Sequence, residues 1–183
     1  MNRQPGSALA IRPYQDFDFP AVVAFVAMIQ DHERELGSAN RRQGGAIAVP
    51  YAHHVCSRTA MDGGILLMAC MSDAPVGFIS AWPDRDDDPL IEPSAREHAV
   101  ISDVFVLPNW RRMGVAQQLL LQTEQHFRQR GIARLRIGAA SLNSPASSFY
   151  SGSGFKPSEI VYEKTIPMPT HSIVDGRIIK GAH

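Results

Sequence analysis

The stretch from Asp103 to Ala116, DVFVLPNWRRMGVA, combines residue types suited to gripping a diphosphate. An apolar run of strand length ends at Pro108-Asn109, two arginines and a glycine follow, and helical spacing begins at once. The first N–H groups of a helix have no acceptor within it and point outward with the positive end of its dipole. Phosphate oxygens are their natural partners. Arg111 and Arg112 add positive charge, Ala116 keeps the next contact small, and Met113 and Val115 supply further backbone amides. Gly114 allows either close backbone approach or a conformation barred to a residue with a Cβ. A purely local reading competes, in which Gly114 eases a tight strand-to-helix turn and both arginines are solvated.

Other groups carry weaker signals. His53 and His54 are adjacent, so on a helix they point about a quarter-turn apart, and no partner at metal-ligand spacing is visible. They read as surface histidines, and no metal is expected. Cys56 and Cys70 show no CxxC spacing, which disfavours a disulfide framework or a zinc site and favours reduced core thiols. Asp84, Asp86, Asp87, Asp88 and Glu92 form an acidic loop. It reads as a solvated loop, or, if it overhangs a cleft, as an attractor of cations.

The elements that must position these residues follow from periodicity. Ala10 to Pro13 could start a first strand. Phe19 to Leu36 is helical, with Val22, Val23, Phe25, Val26 and Ile29 on one side and Gly37 as its stop. Residues 38–45 form a loop, and Ala46 to Met61 a second helix with Pro50 near its start. Ile65 to Met71 and Val76 to Trp82 are apolar runs joined by Ser72-Asp73-Ala74-Pro75, an antiparallel hairpin. Residues 83–95 are the acidic, proline-broken loop, and His98 to Val106 is the next strand. Gly114 to Arg130 is the clearest helix, with Gly131 placed to end it. Ala133 to Ala139 alternates, Leu135 and Ile137 on one face and Arg134 and Arg136 on the other. A short helix follows Ser144-Pro145. Glu159 to Ile166 has the period of a last strand, and Ser172 to Ile179 straddles Asp175-Gly176, a hairpin signal. The order is an α/β mixture in which an antiparallel hairpin feeds a βαβ unit.

Length and composition agree with one domain, its core spanning about 10–166 and followed by an extension over 167–183. The 183 residues are 44% hydrophobic and 20% charged, and 18 basic residues balance 18 acidic ones. Zero net charge argues against a general nucleic-acid or anionic-membrane partner, because neither has a global field to act on. No apolar run approaches bilayer length and no sustained apolar leader opens the chain, so cytoplasm is the expected compartment.

Arg111-x-x-Gly114-x-Ala116 resembles the Arg/Gln-x-x-Gly-x-Gly/Ala loop of the GNAT N-acetyltransferase superfamily. The preceding Val104 to Pro108 is similar to that family's fourth strand. Asn143, Phe149-Tyr150 and Gly154-Phe155 match its Asn…Phe-Tyr…Gly-Phe block in order and spacing. The resemblance covers roughly residues 98–166; the N-terminal helices match only in order and type. Ala116 stands where glycine is commoner. The resemblance implies a mixed central sheet with antiparallel N-terminal strands and a splayed parallel pair. It implies acetyl-CoA as cosubstrate, its pyrophosphate on the backbone of Arg111 to Ala116 and its pantetheine arm paired like a strand beside Val104, Phe105 and Val106. Asn143 would bond that arm, or instead make a local turn before the short helix. Tyr150 matches the family's general acid, with a buried anchoring tyrosine as the alternative. The general base falls in the neighbourhood Ile101-Ser102-Asp103, where many relatives carry glutamate. Asp103 is the nearest carboxylate and could act directly, through a water, or only structurally. On a regular strand Ser102 and Asp103 face opposite ways, so one alone can face the amine. Glu97 and His98 are weaker candidates, and Glu33 and Glu35 lie where relatives often contact the acceptor.

The implied activity is transfer of an acetyl group from acetyl-CoA to a primary amine of a small molecule or peptide. Two alternatives stand beside it. One is a non-catalytic acyl-CoA-binding or regulatory module of the same fold. The other is a nucleotide-binding protein of another fold, which lacks the expected GxGxxG or GxxxxGK[ST] pattern here. The C-terminal hairpin could pair with a second subunit's sheet, giving a homodimer, or stay within its own chain.

Overall fold

The computed structural model describes residues 8–37, 42–61, 63–166, 171–174 and 177–180, the last two stretches by their backbone. Four antiparallel strands and one parallel strand form a single sheet in chain order. They are β1 (Leu9–Pro13), β2 (Ile65–Met71), β3 (Ala74–Arg85), β4 (Glu97–Val106) and β5 (Leu135–Ile137). Helices α1 (Phe19–Glu35) and α2 (Gly44–Ala60) cover one face, and α3 (Val115–Arg128) covers the other. A short α4 (Ser144–Gly152) follows β5.

Each face has its own core. Val22, Phe25 and Val26 of α1 and Ala52 and Val55 of α2 pack on Met68, Phe78 and Phe105. Val115, Leu119, Leu120 and Phe127 of α3 meet Leu67, Ile79, Ile101 and Val106 from the opposite side. Their spacing of three and four along each helix makes these stripes. The sheet is therefore apolar on both sides, which explains why β2 and β3 read as continuous hydrophobic runs. The two helices on the first face are pinned together where the Gly44 N–H donates to Asp31 Oδ1 at 2.8 Å.

The β2–β3 connection is tighter than the sequence suggests. Met71 pairs with Ala74, leaving Ser72 and Asp73 as a two-residue turn, both with positive φ, as a type I′ hairpin requires. β3 runs on to Arg85, so residues 83–85 belong to the sheet and not to the acidic loop. Gly77 lets β3 and β4 come close: a Cβ there would lie 2.5 Å from the Phe105 carbonyl oxygen.

β5 is three residues long, shorter than the Ala133 to Ala139 expected. It pairs with β4 only through Ala99–Leu135, Val100–Arg136 and Ile101–Ile137. Beyond Ile101, β4 continues five residues to Val106 while β5 has ended. That divergence is the splayed parallel pair.

Glu159 to Ile166, expected as a last strand, belongs to no ladder. Ile160 and Tyr162 are 70% and 90% exposed. Period-two alternation reports fit to a pleated surface, not the presence of a neighbour, and a three-residue β5 offers little edge to pair with. The expected hairpin does form: β6 (His171–Val174) pairs antiparallel with β7 (Arg177–Lys180), and its Asp175-Gly176 turn lies outside the described residues. No helix among the described residues is long and apolar enough to cross a membrane.

Candidate active site

After β4 the chain makes a 3-10 turn over Pro108–Trp110, held by the Trp110 N–H on the Leu107 carbonyl at 2.9 Å. Residues 111–114 then turn sharply, with Arg112 at φ +58° and Gly114 at φ +81°. Gly114 is the N-cap of α3, and the first rung of the helix is the Gln118 N–H on its carbonyl at 3.0 Å. The N–H groups of Val115, Ala116 and Gln117 therefore have no acceptor within the helix. A Cβ on Gly114 would meet nothing within 4 Å. Of the two reasons for glycine left open by the sequence, conformation is the operative one: left-handed φ disfavours any Cβ-bearing residue.

Arg111 does more than offer charge. Its Nε donates to the Val106 carbonyl at 2.9 Å, and its guanidinium sits 5.9 Å from the centre of the Phe105 ring. The loop is thus tied back onto the end of β4. Arg112 and Met113 are exposed beside it.

In Val104–Val106 the side chains are committed to packing. Val104 and Val106 join the α3 side, and Phe105 lies 5.1 Å from Phe25 on the other. What the strand offers a ligand is backbone, because alternate N–H and C=O groups beyond Ile101 face the side that β5 has left.

Ser102 sits in a β-bulge. Ser80 of β3 faces Asp103, Ala81 faces Ile101, and Ser102 is the extra residue between them. A bulge resets the alternation and re-aims side chains. The expectation that Ser102 and Asp103 face opposite ways is corrected on this ground: both reach the Tyr51 hydroxyl of α2. Tyr51 Oη lies 2.9 Å from Ser102 Oγ, and 3.2 and 3.3 Å from the two Asp103 oxygens. The Ser80 hydroxyl donates to Asp103 Oδ2 at 2.9 Å. Asp103 is 7% exposed. Burial pushes its carboxyl above the ordinary carboxylate range, the hydroxyls of Ser80, Ser102 and Tyr51 pull it back, and the negative charge of Glu33 pushes it up again.

Tyr150 projects from α4 with its ring packed edge-on against Phe149 and Phe155. Its phenol is pushed up to about 12, chiefly by burial and then by the charges of Asp103 and Glu33. Tyr150, Asp103 and Glu33 thus share one electrostatic neighbourhood, drawn from α4, β4 and α1. Asn143 caps α4, its Oδ1 accepting from the Ala146 N–H at 3.2 Å. That is the local role weighed for it, and it leaves the side-chain NH₂ for another partner.

A comparison with family models matches residues 22–155, more than two thirds of the chain, to the acetyltransferase (GNAT) family. The chain belongs to that family. Membership in the GNAT family supports an acyl-CoA N-acetyltransferase in general. No curated protein matches it. Among solved structures it is similar to a GCN5-related N-acetyltransferase from Ralstonia eutropha JMP134, at 21% identity and TM-score 0.67, covering 86% of this chain and 99% of that one. The aminoglycoside N-acetyltransferase AAC(6')-Iy, solved in complex with CoA, aligns at 17% identity and TM-score 0.65, covering 91% and 100%. A transcriptional regulator from Bacillus halodurans C-125 aligns at 19% and 0.65, covering 87% and 100%. At these identities the likeness establishes the shared fold.

Several sequence candidates fall elsewhere in the GNAT chain. Asp86 is held by Arg136 Nη1 at 2.7 Å, which lowers its carboxyl below the usual range, and lies 3.8 Å from His98 Nδ1. The acidic loop is thereby fastened beside His98, five residues before Asp103 and roughly 16 Å from it along the strand. Glu97 pairs with Arg85 at 3.5 Å, and His98 is buried against the Arg96 carbonyl at that same end. Glu35 is exposed and 4.0 Å from His32. His53 packs at a tilt against Phe19, their ring centres 4.5 Å apart, and the His54 ring lies 6.1 Å from those of both Tyr51 and Trp82. Among the described residues no group of three or more His, Cys, Asp or Glu side chains is arranged to hold a metal ion.

Tyr51 and Ser80 were not foreseen. Ser80, a lone hydroxyl inside the apolar run Val76 to Trp82, carried a signal; Tyr51, at one position of an unremarkable helix, carried none.

Proposed function

We propose that this GNAT chain transfers the acetyl group of acetyl-CoA to a primary amine of a small molecule or peptide, by direct attack of the amine. The observation that carries the reading is the continuity of the site. The edge of β4 that β5 leaves after Ile101 runs from the amide-rich mouth of α3, where Arg111 holds the Val106 carbonyl, to Asp103, in the charge neighbourhood of Tyr150.

The residues fit the cosubstrate. The amides of Val115 and Ala116 have no acceptor within α3, a Cβ on Gly114 would stand in open space, and Arg111, Arg112 and the backbone of Met113 stand beside them to hold a pyrophosphate. Past the end of β5, the backbone of β4 over Val104, Phe105 and Val106 would take an extended amide-bearing arm as an added strand at those groups that β3 and Arg111 leave to it, and the Asn143 NH₂ would bond that arm. Acetyl-CoA supplies the acetyl group as a thioester whose sulfur departs as a thiolate.

Tyr150 keeps its proton at physiological pH and delivers it to the departing sulfur. Burial, which raises its phenol to about 12, keeps it a proton donor across the working range, and the gap to a thiol's ordinary value makes the transfer follow the build-up of charge on the sulfur. Asp103 takes the proton of the acceptor ammonium, its raised pKa bringing it nearer the working pH of a general base. Glu33 adds negative charge that favours a cationic acceptor. Purified protein tests the reading: acetyl-CoA affinity by calorimetry beside thiol release with a panel of amines. Micromolar binding with turnover of at least one amine is expected. Binding without turnover on any amine would make the chain a ligand-binding module instead.

A further inference from the structure

Asp103 cannot meet a substrate unaided. It is buried, Ser80 approaches it from β3, and Tyr51 lies across both of its oxygens. Tyr51 and Ser102 are half-buried, and their hydroxyls touch each other at 2.9 Å. A tyrosine hydroxyl has one proton. When that proton goes to the Asp103 carboxylate, the Tyr51 oxygen accepts from Ser102, whose own oxygen then accepts from outside.

Resting on the acetyltransferase reading above, we propose that the proton of the acceptor ammonium reaches Asp103 through the hydroxyls of Ser102 and Tyr51. The ammonium N–H bond breaks as an O–H bond forms on Ser102. The proton of Ser102 passes to Tyr51, and that of Tyr51 to an Asp103 oxygen. Ammonium becomes amine, carboxylate becomes carboxylic acid, and both hydroxyls end as they began. The same path in reverse returns the proton to water before the next turnover. Ser102 is the group that touches the amine; Tyr51 is the relay on which base catalysis depends, and it comes from a helix outside the motif segment. The other titratable groups facing this cluster are Glu33 from α1, Tyr150 from α4 and His54 beside the Tyr51 ring.

The test is kcat/KM against pH, from 6 to 10, for the parent, Tyr51→Phe and Ser102→Ala, with one competent amine. Acetyl-CoA affinity serves as the control for folding. Tyr51→Phe should lose about 100-fold at neutral pH, the scale of general-base catalysis. The deficit should close to within a few-fold near pH 10, where about a quarter of a simple amine is already neutral and needs no base. Ser102→Ala should show the same closing deficit but a smaller one, since the amine can then donate to Tyr51 directly. If Tyr51→Phe impairs folding, Ser102→Ala carries the same pH test. A deficit that stays constant across pH, or none at all, overturns the relay alone. A parent that binds acetyl-CoA yet acetylates nothing overturns the relay and the activity together.

Discussion

The Ser80 hydroxyl donates to Asp103 Oδ2 at 2.9 Å from the neighbouring strand, in a place that admits almost no water. The bond supports an ionised carboxylate that burial opposes. Folding therefore raises the pKa of Asp103, so the native state binds more protons than the unfolded chain between its ordinary value and the raised one. Stability contributed by this group is present at low pH and falls as pH rises through the raised pKa. Asp103→Asn removes that penalty; its Oδ1 still accepts from one hydroxyl, while a hydroxyl facing its NH₂ must turn to accept. It should melt higher than the parent at pH 8, with the gain fading toward pH 4, and should lose about 100-fold or more in kcat. Thermal melts across pH decide it; a variant less stable at pH 8 would sink the electrostatic account.

Tyr150→Phe should leave acetyl-CoA affinity within a few-fold and lower kcat by about 100-fold. Because the phenol is pushed up to about 12, the parent's rate should show no basic limb from Tyr150 up to pH 10. Full activity in the variant would reduce Tyr150 to an anchor for α4.

At Gly114, two substitutions separate backbone from ligand. Gly114→Ala forces a Cβ into left-handed φ and should cost about 1–2 kcal/mol in urea unfolding. Gly114→Glu adds bulk and negative charge over the amides of α3 and should weaken coenzyme A binding by more than about 10-fold, or 1.4 kcal/mol. Unchanged coenzyme A affinity in the glutamate variant would dismiss the diphosphate cradle.

Arg12 and Asp18 form a two-pronged pair, Nη1 to Oδ2 at 2.6 Å and Nη2 to Oδ1 at 2.8 Å, with the carboxylate fully buried. Burial pushes Asp18 up, but the guanidinium and the Gln15 N–H outweigh it and hold the group below its ordinary value. The stability it brings is present above that ordinary value and is lost as pH falls through the lowered one. Arg12→Ala strands a buried carboxylate and should cost about 3–5 kcal/mol at pH 7. A loss under 1 kcal/mol in urea melts would show that water takes the place of the arginine.

The half of the site that lies continuous in the chain was legible. Val104 to Ala116 spells strand, turn and helix mouth in one stretch, and the chemistry of a helix N-terminus needs only local order. Asp103 was legible as a carboxylate, yet its surroundings were not. Tyr51 and Ser80 stand 52 and 23 residues away in sequence, so only packing brings them to it. Reading Ser102 and Asp103 as opposed assumed an unbroken strand, and a bulge leaves no mark in a hydrophobic pattern. For Glu159 to Ile166 the failure runs the other way: alternation was present, but among the described residues no strand pairs with it.

A sheet whose β4 outruns its only parallel neighbour is left one strand short, and an extended ligand lying there would complete it. Folding and occupancy then share a free energy: at a hundred times its dissociation constant, a ligand adds about 2.7 kcal/mol to the folded state. On that footing the chain would act as a gauge as well as a catalyst. If such a ligand fell from a hundred times that constant to the constant itself, the fraction of molecules open to proteases would rise about 50-fold, and the chain's own lifetime would follow the ligand's supply.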